Sequence, residues 1–221
     1  MAQELLLTPL YNDANIQDYW RFEGNATASK GSHNGTATSI TFSSGNGKFG
    51  QGAGFNGSSS KINVGNLYSG GNDFTINCWI KTSTTGVRQT INAQGAAVTN
   101  NGMFFRVETS NVLNFELYSG VSVTSSSTVT DGSFHMVTAV NASKVMQLYI
   151  DGVTNGSSAA IPSINISASS DYPNIGVEQT QNWFNGAMDD PSFFTRALTA
   201  QEIRNLFYGF PGGAGIFPAI F

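Results

Sequence analysis

Alternation of apolar and polar side chains with a period of two is the feature that most constrains this chain. In residues 74–81 every second side chain is apolar: Phe74, Ile76, Cys78 and Ile80. Successive side chains of a strand point to opposite faces of its sheet, so the pattern predicts a strand with one buried face. The pattern recurs in residues 103–107, 113–117, 136–140 and 146–150, with turn residues between the segments. Many short strands at close spacing predict a two-sheet sandwich with a core led by Phe74, Ile76, Ile80, Phe115, Leu148 and Ile150.

One helix is predicted, over residues 199–207. Thr199 is a good N-cap, and Glu202 follows three residues later, which is a capping box. Ile203 and Leu206 fall on one face of this helix, so we expect it to lie against an apolar surface.

Several short motifs occur in one order along the chain and end in this helix. They are Tyr19-Trp20-Arg21-Phe22, Lys48-Phe49-Gly50-Gln51-Gly52, Phe55-Asn56-Gly57, Asp73-Phe74-Thr75-Ile76, Asp131-Gly132-Ser133-Phe134-His135, Leu148-Tyr149-Ile150-Asp151-Gly152, and the Asp189-Asp190 strand that leads to Thr195-Arg196-Ala197-Leu198. Together they resemble laminin-G-like domains of the concanavalin A-like lectin and glucanase superfamily. The resemblance implies an all-β, antiparallel jelly-roll sandwich over residues 18–208, between an apolar N-terminal arm (1–17) and an apolar C-terminal tail (209–221).

Composition excludes several classes of function. Charged residues make up 11% of the chain, the net charge is −4, and no basic run occurs. Nucleic acid and anionic membranes are therefore poor partners, and no segment is long enough for membrane insertion. Cys78 is the single cysteine, so an internal disulfide is impossible and we expect a buried free thiol. The N-terminus does not resemble a signal peptide, and we expect an extracellular or virion-surface location.

Catalytic motifs are missing. Glucanases of the resembled superfamily carry a Glu-x-Asp-x-Glu strand, which this chain lacks. Glu108 and Glu116 are eight residues apart, on segments predicted to be neighbouring strands, and a structural or solvated role is favoured. Neither His33 nor His135 lies in a motif that predicts a Ser-His-Asp triad. We therefore expect a non-catalytic protein, with a glucanase-type hydrolase as a distant alternative.

Calcium is the one cofactor that the resemblance suggests. The ligands would be Glu23, Asn34 and Asp189, since calcium prefers carboxylate and amide oxygens. The alternative is that Asp189 and Asp190 cap turns or pair with Arg196.

A glycan site is predicted on the outward faces of the strands. The outward side chains, which alternate with the core residues along the strands, are aromatic or polar. They are Trp79, Phe104, Arg106, Tyr118, Gln147 and Tyr149. Aromatic faces with polar neighbours suit sugars, which present C–H faces and hydroxyl rims. The alternatives are that Trp79 is covered by packing and that the loops at the rim bind the ligand.

Both termini carry large apolar side chains outside the matched domain: Leu5, Leu6, Leu7, Phe210, Phe217 and Phe221. Exposed in water they would favour association, so we expect them to dock on neighbouring subunits. The alternative is that they complete the domain's own core.

These patterns predict a lectin-like adhesion or display module on an extracellular assembly, with a glycan or cell-surface polysaccharide as ligand. The alternative function is a structural or decoration subunit of a virion or similar assembly.

Overall fold

A computed structural model describes residues 5, 9–68, 73–95, 102–117, 120–162, 166 and 174–208. Within these ranges the chain forms sixteen strands, arranged in two antiparallel sheets, and one α-helix. The predicted all-β sandwich with one C-terminal helix is confirmed. None of the helices in the described ranges is long and apolar enough to cross a bilayer.

Sheet A contains nine strands: β1 (Ile16–Tyr19), β3 (Thr41–Ser43), β4 (Gly52–Asn56), β6 (Phe74–Lys81), β11 (Phe134–Ala142), β12 (Val145–Ile150), β13 (Val153–Thr154), β14 (Ala159–Ala160) and β16 (Asn185–Phe194). Seven lie in the spatial order β13-β12-β11-β6-β16-β4-β3, while β1 pairs with β16 and β14 with β12. The most regular strand of the sequence, β6, therefore lies in the middle of this sheet.

Sheet B contains seven strands: β2 (Thr36–Thr38), β5 (Lys61–Asn63), β7 (Gln89–Gln94), β8 (Met103–Val107), β9 (Val112–Leu117), β10 (Val121–Thr128) and β15 (Asn174–Ile175). Their order is β10-β9-β8-β7-β15-β5-β2. The sequence predicts one strand over residues 36–42. The chain instead crosses there from sheet B to sheet A, through Ser39, which has a φ of 52°.

The main core lies between the inner faces of the two sheets and contains all six predicted core residues. Phe74 of β6 stacks on Phe193 of β16, with ring centroids 5.8 Å apart, and meets Phe115 of β9 edge-on at 6.0 Å. Burial of each such side chain stabilises the fold by roughly 1.5–3 kcal/mol. Cys78 is a buried free thiol, as predicted.

A second apolar cluster covers the outer face of sheet A. The sequence pattern did not decide whether this face is covered or exposed. Trp79 and Tyr149 of the sheet are 2% and 9% exposed there. Leu5 from the N-terminal segment, 1% exposed, lies in the same cluster. Three predictions are therefore wrong: Trp79 and Tyr149 are not exposed sugar-facing aromatics, and Leu5 is not an exposed docking residue, because each is buried within this chain.

The α-helix α1 (Ala200–Tyr208) covers part of this face with Ile203 and Leu206. Its predicted capping box is present: Glu202 N donates to Thr199 Oγ1 at 3.2 Å, and Thr199 N donates to Glu202 Oε2 at 2.8 Å. Arg196 binds Asp13 and Glu202, and its hydrogen bond holds the pKa of Glu202 below the ordinary value. Helix and N-terminal segment are therefore joined to the same face of the sheet.

The adjacent carboxylates lie at a register shift in β16, between Asp189 and Ser192, and both are buried. Asp189 Oδ2 accepts the backbone N–H groups of Lys48 and Phe49, at 2.8 and 2.9 Å. Asp190 accepts the Tyr19 hydroxyl at 2.7 Å and the Leu5 N–H at 3.2 Å. The pair therefore anchors two segments that are distant in sequence, which fits the turn-capping alternative and not pairing with Arg196.

Candidate functional site

A row of polar side chains crosses the outer face of sheet B. Thr90 of β7 lies opposite Arg106 of β8, and Arg106 lies opposite Asn114 of β9. Opposed residues share a face, and their neighbours Phe105 and Phe115 face the main core. Thr90, Arg106 and Asn114 therefore point away from the core, although each is at most 5% exposed.

Carboxylates surround Arg106. Its Nη1 lies 3.1 Å from Glu178 Oε2, its Nη2 pairs with Glu116, and its Nε lies 3.6 Å from Glu108 Oε1. Arg88, which is more exposed, binds Glu108 at 2.9 Å. Charge-assisted bonds of this kind hold a guanidinium in one orientation.

Phe104 and Asn114 complete the setting of this guanidinium. The Phe104 ring centroid is 5.0 Å from Arg106 Cζ, a cation–π contact. Asn114 Oδ1 accepts a hydrogen bond from Arg106 Nη2 at 3.4 Å. The orientation of Arg106 is thus fixed on several sides before any ligand arrives.

Two buried polar atoms at the centre of this row make no hydrogen bond. They are Arg106 Nε, whose distance to Glu108 is too long for one, and Thr90 Oγ1. The two residues are cross-strand partners. A buried polar group without a hydrogen bond costs about 1–3 kcal/mol, so the pair marks a place where a polar ligand atom would be stabilised.

The loop from Glu178 to Trp183 borders the row. Asn182 Nδ2 donates to Glu178 Oε2 at 3.2 Å, and Asn182 O accepts Thr90 N–H at 2.8 Å. Gln179 and Asn182 have φ values of 58° and 55°, a conformation that non-glycine residues rarely adopt. Trp183, partly exposed, donates its indole N–H to Thr180 O at 3.1 Å. The loop that binds Arg106 through Glu178 thus also carries a partly exposed aromatic ring.

Sequence reasoning found Phe104 and Arg106 but missed Glu178 and Trp183. Glu178 lies 72 residues from Arg106, and no periodic pattern connects an irregular loop to a strand at that separation. Phe104 and Arg106 lie on the predicted outward face, but other side chains cover them, since they are 5% and 4% exposed.

The remaining predicted sugar-binding residues do not join this site. Trp79, Gln147 and Tyr149 belong to sheet A, and Gln147 donates to the Gly156 carbonyl at 3.2 Å. Tyr118 lies outside the described residues, as do Leu6, Leu7, Phe210, Phe217 and Phe221.

A model of the "Concanavalin A-like lectin/glucanases superfamily", of the laminin-G type, matches residues 55–204, more than half of the chain. The chain belongs to this laminin-G-like family. The resemblance drawn from the sequence motifs is thereby confirmed. Comparison with curated proteins gave no match.

Solved structures with the same fold include a domain of an arabinanase and several receptor-binding domains. Domain 4 of AbnA, a GH43 extracellular arabinanase from Geobacillus stearothermophilus in complex with arabinotriose, has 19% identity and a TM-score of 0.70, with 87% of this chain and 98% of that chain covered. The receptor-binding domain of the botulinum neurotoxin C/D mosaic serotype has 15% identity and a TM-score of 0.66, with 88% and 51% covered. The binding domain of Paraclostridial Mosquitocidal Protein 1 has 18% identity and a TM-score of 0.67, with 88% and 52% covered. This laminin-G-like chain thus spans about half the length of the two toxin domains. At these sequence identities, the structural similarity shows the fold alone.

The residues implied as calcium ligands in this laminin-G-like domain do not fit a metal site. Both Glu23 carboxylate oxygens accept the Gln51 N–H at 3.2 Å, and Asn34 Oδ1 accepts the Ala28 N–H at 3.1 Å. Both oxygens of Asp189 are bound by backbone amides as well. Among the described residues, no group of three or more His, Cys, Asp or Glu side chains is arranged to hold a metal ion.

Burial raises the pKa of Asp189 to about 7, against the amide hydrogen bonds that favour its ionised form, and the nearby negative charge of Glu23 raises it further. Asp189 is thus a buried anchor for the segment around Phe49. Its position inside the fold distinguishes it from the outer-face residues around Arg106.

Proposed function

We propose that this chain is a non-catalytic, lectin-like module that binds a neutral oligosaccharide on the outer face of sheet B. The observation that carries the proposal is a pair of buried atoms that make no hydrogen bond, Arg106 Nε and Thr90 Oγ1, on residues that lie directly opposite each other. A sugar hydroxyl can accept from the guanidinium and donate to the threonine oxygen at once. A ligand hydroxyl would reach both atoms only after the side chains that cover them move, since Thr90 and Arg106 are at most 4% exposed.

The surrounding charges favour an uncharged ligand. Arg106 is already neutralised by Glu178 and Glu116, and Glu108 adds a third carboxylate. An anionic sugar would meet like charges here, whereas hydroxyl groups find both donors and acceptors. The partly exposed Trp183 indole supplies a surface on which the C–H face of a sugar ring can pack.

The same contacts argue against hydrolysis. A glycosidase needs one carboxylic acid that can protonate the leaving oxygen and a second carboxylate that acts as nucleophile or base. Glu116 and Glu178 both bind the same guanidinium, that of Arg106. Neither is placed as a proton donor.

The comparisons support the ligand class. Domain 4 of the arabinanase was solved with arabinotriose, a neutral oligosaccharide, and the chain covers nearly all of that domain. Cell entry of botulinum neurotoxin type C depends on interaction with two ganglioside molecules, but this chain spans about half of that structure, and the ligand is not carried over to it.

We further propose that the module is displayed on an extracellular assembly such as a virion surface, with the tail (209–221) as its attachment. Leu5 contributes to the chain's own second cluster. The apolar candidates left for contact with a neighbouring subunit are therefore Leu6, Leu7, Phe210, Phe217 and Phe221.

The binding proposal is tested by calorimetry and a glycan array of neutral oligosaccharides, beginning with arabinotriose. Thr90→Val removes the unpartnered oxygen while preserving shape. We expect affinity to fall about tenfold, with the free energy of unfolding unchanged or raised, because no hydrogen bond within the protein is lost and an unsatisfied buried hydroxyl is removed. Trp183→Ala should weaken binding as well, while Tyr208→Ala, a matched exposed aromatic on α1, should not.

Two outcomes would contradict the proposal. One is the absence of binding to any neutral oligosaccharide on the array. The other is a Thr90→Val variant that binds as the wild type but is less stable, since an internal water would then be the partner of Thr90 Oγ1. Release of reducing sugar that is lost in Glu116→Gln would overturn the non-catalytic assignment.

A further inference from the structure

A second groove lies on the outer face of sheet A, away from the apolar cluster on that face. Its floor follows from strand register: Thr41 lies opposite Gly54, Gly54 opposite Ala187, and Ala187 opposite Lys81. The two central positions carry no side chain larger than a methyl group. A depression of about 420 Å³ results between higher walls.

The walls of the groove are polar. On one side Asn46 lies over the floor and donates to the Thr41 carbonyl at 3.0 Å. On the other side are Ser83, which is exposed, and Thr84, whose hydroxyl accepts from Asn185 Nδ2 at 3.0 Å. Hydroxyl and amide groups around an open cleft are the donors and acceptors that a saccharide requires.

Lys81 is the one charged side chain that lines the groove in the described part of the chain. Its ammonium group lies 3.3 Å from the Gly45 carbonyl and 4.9 Å from the Phe134 ring centroid, so it is held over the groove by two contacts. Asp131 precedes Gly132 of the wall, but its carboxylate accepts Ser133 N–H at 2.7 Å and lies 3.2 Å from His135 Nε2. The ammonium thus has no carboxylate among the lining residues.

We infer that this groove is a second binding site, selective for acidic saccharides that carry a carboxylate or sulfate group. A cation held over an aromatic ring, in a cleft whose described lining is free of acidic side chains, favours an anion even though the protein is acidic overall. Neighbouring hydroxyl and amide groups recognise the rest of the sugar. The groove carries a positive charge, whereas at the site around Arg106 the carboxylates outnumber the guanidinium. The inference does not depend on the proposed function.

Binding to polysaccharides of matched backbone tests this inference with the full-length chain. Affinity electrophoresis would compare dextran with dextran sulfate, and polygalacturonate with its neutral methyl ester. We expect retention by at least one acidic polymer, weakened by added salt, because exposed charge pairs are screened. Dextran sulfate and polygalacturonate distinguish a sulfate from a carboxylate ligand.

Three variants assign the binding to the groove. Lys81→Gln should lower the affinity for the acidic polymer about tenfold, and Lys144→Gln, which removes a partly exposed cation elsewhere, should leave it unchanged. Because loss of Lys81 also removes the hydrogen bond to the Gly45 carbonyl, a second variant is needed. Ser83→Glu places a negative charge at an exposed position of the groove and should weaken binding of the acidic polymer only.

Equal affinity for acidic and neutral polymers would overturn the inference, as would equal losses in Lys81→Gln and Lys144→Gln. Unchanged binding in Ser83→Glu would contradict it as well. Failure of this site is distinguishable from failure of the Arg106 site, because Thr90→Val and Trp183→Ala should leave acidic-polymer binding intact.

Discussion

Trp79 of β6 stacks on Phe207 of α1, with ring centroids 5.6 Å apart and an angle of 26° between the ring planes. Phe49 meets the same indole edge-on at 5.7 Å, and Lys48 Nζ lies 4.6 Å from its centroid. The aromatic residue expected to present a sugar platform is therefore enclosed within the protein. This packing closes much of the outer face of sheet A, where polar groups remain accessible at the groove beside Lys81.

Trp79→Ala should destabilise the protein by about 3–5 kcal/mol, because it removes a fully buried aromatic side chain and leaves a cavity. Urea unfolding monitored by circular dichroism measures the change. Trp183→Ala is the matched control, and we expect it to change the free energy of unfolding by less than about 1 kcal/mol since this indole is partly exposed. Similar values for the two variants would contradict burial of Trp79.

Deletion of residues 1–8 should destabilise the domain by roughly 1.5–3 kcal/mol, the contribution of one buried leucine. Leu5 is 1% exposed, and its N–H group donates to Asp190. Deletion of residues 209–221 is the comparison: we expect it to preserve the melting temperature but to reduce association at high concentration. A stable, monomeric N-terminal deletion would instead support docking of that segment on a neighbour.

The pH dependence of stability should contain a component from Asp189, whose pKa burial raises from 3.8 to about 7. Because the folded-state pKa lies above the unfolded value, this contribution is fully present below about pH 4 and is lost as the pH rises through 7. Urea unfolding across this window should therefore show wild type losing stability relative to Asp189→Asn as the pH increases. A difference that does not change with pH would rule out the raised pKa.

The calcium prediction is testable by thermal unfolding. An ion that binds only the folded state raises the melting temperature by mass action. Because backbone amides already occupy the oxygens of Glu23 and Asp189, we expect the same melting temperature in excess calcium and in chelator. A rise in calcium that disappears in Asp189→Asn would reinstate the site implied by family resemblance.

Local patterns in the sequence were sufficient for the architecture. Alternation in residues 74–81 identified the central strand and its core face, and the Thr199–Glu202 capping box located the helix to within one residue. Both signals act over a few residues, through side-chain direction in a strand and through satisfaction of helix N–H groups. They remain readable without knowledge of the rest of the chain.

The tertiary structure alone decided which faces remain open. Period-two alternation places Trp79 on the second face of its strand, but whether that face is solvated depends on Phe207 and Phe49, which are distant in sequence. In the same way, Arg106 acquires Glu178 only when an irregular loop folds across sheet B. Burial and pairing of this kind come from long-range packing, whose geometry no local period encodes, and for that reason the binding site is a property of the assembled sandwich.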